Sequence, residues 1–360
     1  MATESTWQPG LIVLFGSGEI SSSGRRVYDW LFARMAAPIR VAVLETPAGF
    51  QPNSAHVAEE IAQFLRVRLQ NYHPEVTVVP ARKRGTPYSP NAPEIVAPLL
   101  RANVVFLGPG SPTYAVRQLR DSLAWYTLMA RHRLGAAIVL SSAATIAVGA
   151  YALPVYEIYK VGTELHWVPG LDFLGAFGLS LVLVPHWDNR EGGATLDTSR
   201  CFMGQERFER LRTLLPRGVT VLGIEEHTAM ILDLGAGHCR VMGRGSVTCI
   251  RGDTTMIFTA AEAVPLGVLG DFRMPSLRAG IPEHVWQNVE RATQQLPEMP
   301  TPPEEVLRLV EAREAARARR DWQEADALRA RIAALGWHIQ DTREGPRLQP
   351  LIDAPMGGDI

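Results

Sequence analysis

The 360-residue chain is 46% hydrophobic and carries 36 basic against 37 acidic residues, a net charge of -1. It can bury a sizeable core, and the balance of charge excludes a general electrostatic pull towards nucleic-acid backbones or anionic membranes. Lys83 and Lys160 are the only lysines, which leaves little for Schiff-base chemistry. Cys201, Cys239 and Cys249 are odd in number and lack a CxxC pair, so they fit a reducing cytoplasm better than a disulfide scaffold and suggest no zinc site. Met1 to Gly10 lacks the basic start of a signal peptide. Leu134 to Tyr156 is uncharged but rich in Gly, Ala, Ser and Thr, which favours a buried strand, turn and helix over a membrane span.

The N-terminal part alternates β-branched runs with amphipathic segments, the pattern of a parallel sheet with crossover helices. Strands are expected at Leu11 to Phe15, Ile39 to Leu44, Val76 to Val79, Val104 to Leu107 and Ala136 to Leu140. Helices are expected around Arg25 to Met35, Ser54 to Leu69, and from Ser111 or Thr113 to about Arg131. Beyond Tyr151 come strands at Leu179 to Val184, Val219 to Ile224 and Ala229 to Leu232, then a hairpin-like run from Cys239 to Ile250. The sheet therefore becomes mixed towards its later edge. The expected division is a domain over 1–264, a Pro-rich linker over 265–302 with one short helix near Glu283 to Thr293, a module over 303–350 and a tail over 351–360. Within the module, Glu304 to Arg319 and Trp322 to Leu335 have helical periodicity, and Trp337 to Asp341 with Arg347 to Leu351 form a small hairpin. Nine arginines offset nine acids there, so its charges describe solvated helix faces rather than a basic groove.

A strand that runs into Ser141-Ser142-Ala143-Ala144 and then a helix meets the requirement for a nucleophile elbow. The turn exposes a hydroxyl at the strand's carboxyl end, and the following helix offers amides to a developing oxyanion. Val182 to Pro185 places His186 just after an apolar strand, able to reach the same sheet edge as a general base. Three carboxylates could orient that base: Glu157, fifteen residues after Ser142, Asp188, two after His186, and Glu226, which follows another strand. The residues alone leave the choice open. Arg200 and Arg207 flank Cys201 to Gly204 and could grip a substrate carboxylate. Gly16-Ser17-Gly18 lacks the third glycine of a dinucleotide fingerprint.

The order Gly108-Pro109-Gly110-Ser111, Ser142-Ala143-Ala144, Pro185-His186-Trp187 and Gly223 to Ala229 resembles the dipeptidase E and cyanophycinase group of serine peptidases over roughly Leu11 to Phe258. The resemblance implies a three-layer, doubly wound α/β fold similar to class I glutamine amidotransferases, with a mostly parallel sheet. It implies Ser142 as nucleophile, His186 as base, Glu157 as the favoured acid, and Gly110 with the amide of Ala143 as oxyanion hole. Three features depart from the family: Leu140 and Ala144 stand where the elbow glycines belong, Glu157 stands where the dipeptidase has Asp, and the aspartyl-recognition residues cannot be traced. The expected activity is hydrolysis of a peptide or amide bond in a small peptide-like substrate through an acyl-enzyme, with no metal or organic cofactor. The alternative is a catalytically silent binding module. Val310 to Arg317, Asp321 to Arg329, Ala334-Leu335-Gly336 and Gln340 to Gly345 look like the C-terminal end of cysteinyl-tRNA synthetase, which implies a tRNA partner for the tail, or a protein partner. No synthetase catalytic motif accompanies it. The sequence leaves a homo-oligomer open and gives no sign of a membrane partner.

Overall fold

The computed structural model describes residues 7–260, 263–296, 301–342 and 345–351. Five strands, β1 (Ile12–Phe15), β2 (Arg40–Leu44), β3 (Glu75–Val79), β4 (Val104–Leu107) and β5 (Ala137–Ser141), pair in parallel in the order β1-β5-β4-β2-β3. Their side chains alternate between two cores. Ile12, Leu14, Ala42 and Leu44 join one hydrophobic cluster, and Val13, Phe15, Val41 and Val43 join another on the opposite face. Residues at period two that are apolar on both faces require cover on both sides. One cover is the pair of helices Ser22–Phe32 and Ser54–Arg68, through Val27, Leu31, Ile61 and Leu65. The other includes Leu119, Trp125 and Leu128. The single helix expected up to Arg131 is two, Pro112–Leu119 and Leu123–Arg133. Asp121 between them has φ 54° and Ser122 caps the second through the amide of Trp125.

After a two-residue ladder of β6 (Tyr151–Ala152) with β7 (Val168–Pro169), the strands β8 (Leu181–Val184) and β9 (Thr220–Ile224) run parallel in a second sheet. The chain then crosses back: β10 (Thr228–Asp233) pairs antiparallel with β1, and β11 (His238–Gly243) pairs with β10. The run expected as a hairpin from Cys239 to Ile250 is divided between the sheets. β11 belongs to the first, whereas β12 (Val247–Arg251) pairs with β9 and with β13 (Thr254–Phe258) in the second. Local alternation cannot distinguish these pairings, because both strands bury one apolar face either way.

The expected linker is packed rather than extended. β14 (Ala263–Pro265) extends the first sheet beside β11, and Leu266 and Leu269 are fully buried in its core. The helix Glu283–Gln294 inserts Val285, Trp286 and Val289 against Ala130, and Arg131 donates from Nη1 to Thr293 Oγ1 at 2.7 Å. Pro297 and Pro300 of this segment lie outside the described residues. The tail beyond Leu351 does as well.

The helices Glu304–Ala318 and Trp322–Ala334 pack on the hairpin β15 (Trp337–Thr342) and β16 (Gly345–Pro350) around Val306, Leu309, Leu328, Ile332, Trp337 and Ile339. Arg313, a buried cation, is held by Asp341 in a bidentate pair at 2.8 Å and 2.8 Å, and Arg317 reaches the same carboxylate at 2.8 Å. The Arg313 hydrogen bonds hold the Asp341 carboxyl below its usual range, against the opposing effect of burial. A carboxyl whose folded pKa is depressed contributes stability above its unfolded pKa and loses it as pH falls through the folded one. Asp341→Asn is therefore expected to lower the module's stability by about 2 kcal/mol, less than a fully buried pair because Asp341 faces solvent on one side. Chemical denaturation at neutral pH, followed by Trp337 fluorescence, checks this, and the difference from wild type should vanish towards pH 2. The module touches the body where Arg347 Nη1 donates to the Met35 carbonyl at 3.1 Å and the His73 and His338 rings meet edge to face at 4.8 Å.

Candidate active site

Ser142 follows β5, in the first sheet, and His186 follows β8, in the second, so the two do not share one sheet edge as expected. The carboxyl ends of the two sheets converge instead. The His186 amide donates to the Gly16 carbonyl after β1 at 3.2 Å. Gly223 in β9 allows the approach, since a Cβ there would lie 2.1 Å from the indole of Trp187. That indole is buried, edge-on to Phe208 at 5.1 Å, and fixes the residue next to His186.

Ser142 has φ 51° and ψ -113°, outside the regions that L-residues favour, and leads into the short helix Ala143–Ala147. The turn forms without flanking glycines. Leu140 and Ala144 are both buried there, and packing imposes a conformation that costs of order 1–3 kcal/mol. Ser142 Oγ lies 3.0 Å from His186 Nε2, and His186 Nδ1 lies 2.9 Å from Glu226 Oε1. Asn189, which is buried, donates from Nδ2 to the same Oε1 at 3.1 Å, and the amide of Glu226 donates to Asp188 Oδ1 at 2.7 Å. These contacts hold the Glu226 carboxyl below its ordinary pKa, the hydrogen bond from His186 being the largest cause and burial opposing it.

Glu226 thus stands against His186, and Glu157 does not. Glu157 begins the turn Glu157–Val161, and its Oε1 accepts from Thr113 Oγ1 at 2.5 Å. Asp188 anchors the backbone of Glu226 rather than the imidazole. The acid sits on the link between β9 and β10, where the chain passes from one sheet to the other. Asn189 was missed, although Pro185 to Asn189 form one continuous segment. Gly110 has φ 149°, and a Cβ there would lie 2.0 Å from the Pro47 carbonyl oxygen. The loop is clasped by the Ser111 amide donating to that oxygen at 2.9 Å. Because β4 and β5 are parallel neighbours, Gly110 and Ala143 follow adjacent strand ends.

Both arginines donate to backbone carbonyls. Arg200 lies with its guanidinium carbon 3.9 Å from the Trp187 ring centre and donates to the Trp187 carbonyl at 2.9 Å. Arg207 donates to the carbonyls of Met203 at 2.6 Å and Phe202 at 2.8 Å. The three cysteines are buried, and burial raises the Cys201 thiol to about 12, which removes it as a competing nucleophile. Among the described residues no group of His, Cys, Asp and Glu side chains is placed to hold a metal ion, and no helix is long and apolar enough to cross a membrane. A cavity of about 590 Å³ lies at the opposite ends of the strands, lined by Trp30, Arg34, Asn103 and Arg240, and does not include Ser142.

Comparison with known proteins divides the chain in two. Residues 299–345 match the cysteinyl-tRNA ligase anticodon binding domain. The cysteine–tRNA ligase of Methanosarcina acetivorans is 57% identical over 47 residues, 13% of this chain and 10% of that protein. That of Chlamydia felis is 47% identical over 49 residues, 14% of this chain and 10% of the ligase. The match therefore spans about a tenth of these relatives' length. The body has the fold of a peptidase. A peptidase from an acI-B1 Actinobacterium aligns with a TM-score of 0.58 and 20% identity, over 72% of this chain and 98% of that one. The expected mixed α/β architecture, with its C-terminal helices and hairpin, is the one observed.

Proposed function

We propose that the protein is a serine hydrolase that cuts a peptide or amide bond through an acyl-enzyme on Ser142. The observation that carries this is the continuous hydrogen-bonded line Ser142–His186–Glu226 at the converging strand ends. With Nδ1–H donated to Glu226, Nε2 is free to accept the Ser142 proton as Oγ attacks the carbonyl carbon. The amide of Ala143, first in its helix and so without an intrahelical acceptor, pairs with the amide of Gly110 to receive the oxyanion. Collapse expels the amine, which takes the proton from Nε2. A water then attacks the acyl group, His186 again removes the proton, and Ser142 is restored. Glu226 keeps the imidazole in the correct tautomer and stabilises its cation.

Intact mass after exposure to a fluorophosphonate probe tests the proposal. A single adduct, absent in Ser142→Ala and present in Ser141→Ala, is the expected result, and no adduct on wild type refutes it. Gly110→Ala keeps the amide but sets a methyl against the Pro47 carbonyl at a φ that alanine disfavours, so the loop must shift: labelling is expected to slow by up to about 10²-fold, the value of one oxyanion donor moved out of place, and the melting temperature to fall.

A second activity is proposed for the tail on the strength of residues 299–345: binding of tRNA. The balanced charge of the module predicts weak, shape-dependent contact rather than a steep dependence on salt. Binding that survives Ser142→Ala and disappears when the chain ends near Pro300 would support it, and binding unaffected by that truncation would refute it.

A further inference from the structure

Arg200, Cys201 and Phe202 have φ of 56°, 58° and 68°, three consecutive non-glycine residues in the left-handed region. Each is disfavoured by its own Cβ, and such strain persists only where the surroundings enforce it. Here they do. The amides of Arg200, Cys201 and Phe202 donate to the carbonyls of Trp187 at 2.9 Å, His186 at 3.1 Å and Thr198 at 2.9 Å. The guanidinium groups of Arg200 and Arg207 close on the carbonyls of Trp187 and Phe202. What this loop presents is the ring of Phe202, half-buried, with its centre 6.1 Å from that of the His186 imidazole. Tyr159, also half-buried, continues the aromatic surface at 5.3 Å from Phe202.

Resting on the hydrolase reading above, we propose that this surface is the leaving-group subsite, and that the amine released carries an apolar or aromatic side chain. The leaving nitrogen must come within hydrogen-bond reach of Nε2 to take its proton, so the group attached to that nitrogen lies on the histidine's side of the serine, within side-chain reach of Phe202. An acidic side chain on the leaving group would approach the charged Glu226, whereas Arg200 and Arg207 are turned onto the carbonyl oxygens of Trp187, Phe202 and Met203. An apolar ring instead displaces water from two aromatic faces.

The test uses the full chain with three dipeptide mixtures, Xaa-Phe, Xaa-Glu and Xaa-Gly, in which Xaa covers the common amino acids, and reads release of the C-terminal residue by mass spectrometry. Wild type is expected to turn over Xaa-Phe at least about tenfold faster than Xaa-Glu or Xaa-Gly, the discrimination that a hydrophobic pocket commonly reaches. Phe202→Ala should bring the three within about threefold of one another, and Phe202→Leu should retain most of the preference. Tyr159→Ala carries the same test outside the strained loop. Equal or faster release from Xaa-Glu, or a Phe202→Ala variant that slows all three alike, overturns the proposal. A wild-type protein labelled at Ser142 by the fluorophosphonate but inert on every dipeptide also overturns it while leaving the hydrolase reading intact. Absence of both labelling and turnover removes the two together.

Discussion

Ser142→Ala is expected to reduce kcat on the order of 10⁶-fold, as removal of the nucleophile does when nucleophile and base act as a unit. The residual rate would come from the oxyanion amides and substrate binding, which need no hydroxyl. The effect should be chemical rather than structural. Alanine can occupy the same strained φ and ψ that packing imposes through Leu140 and Ala144, and the Oγ is replaced by nothing larger. Steady-state kinetics on any hydrolysed peptide, together with an unchanged denaturation midpoint, checks both halves. A variant that kept full activity would remove Ser142 from the mechanism.

The second large effect is at Glu226. Glu226→Gln is expected to lower kcat on the order of 10⁴-fold, because an amide in that position lets the imidazole adopt the wrong tautomer and cannot stabilise its cation. Glu157→Gln, which alters only the carboxylate bound to Thr113, should stay within about tenfold of wild type, short of the loss of a positioned acid. Measured side by side, the two variants decide which acid belongs to the histidine, and a larger loss at Glu157 would reverse the assignment. The hydrogen bond from His186 depresses the Glu226 carboxyl, so it remains ionised to lower pH than an ordinary glutamate. Its contribution to folding stability is present above the unfolded pKa and is lost only as pH falls through the depressed value.

That Ser142 and His186 stand at strand ends was legible in the sequence, because each comes just beyond an apolar run, and strand ends are where such folds expose side chains. Glu226 was visible only as one of three acids. Its position depends on the chain leaving β9 and entering β10 in the other sheet, a choice of partner that apolar alternation does not encode. The same ambiguity produced the false hairpin over Cys239 to Ile250. The contacts of Arg200 and Arg207 were not legible for a different reason: the carbonyls they reach, those of Trp187, Phe202 and Met203, are presented by the path of the loop, and residue types carry no trace of that path. The prolines of 265–302 signalled breaks in helix and strand, which is accurate, but a segment rich in breaks can still be pinned by one large side chain, as Trp286 pins this one.

That seat of Trp286 has a bearing on where the chain can be cut. The helix Glu283–Gln294 closes the body's surface at Ala130 and is tied there by Arg131 and Thr293, so the peptidase-like half is finished before the synthetase-like half begins. A cut after Leu296 therefore keeps the seat of Trp286 with the body and falls inside the expected linker over 265–302.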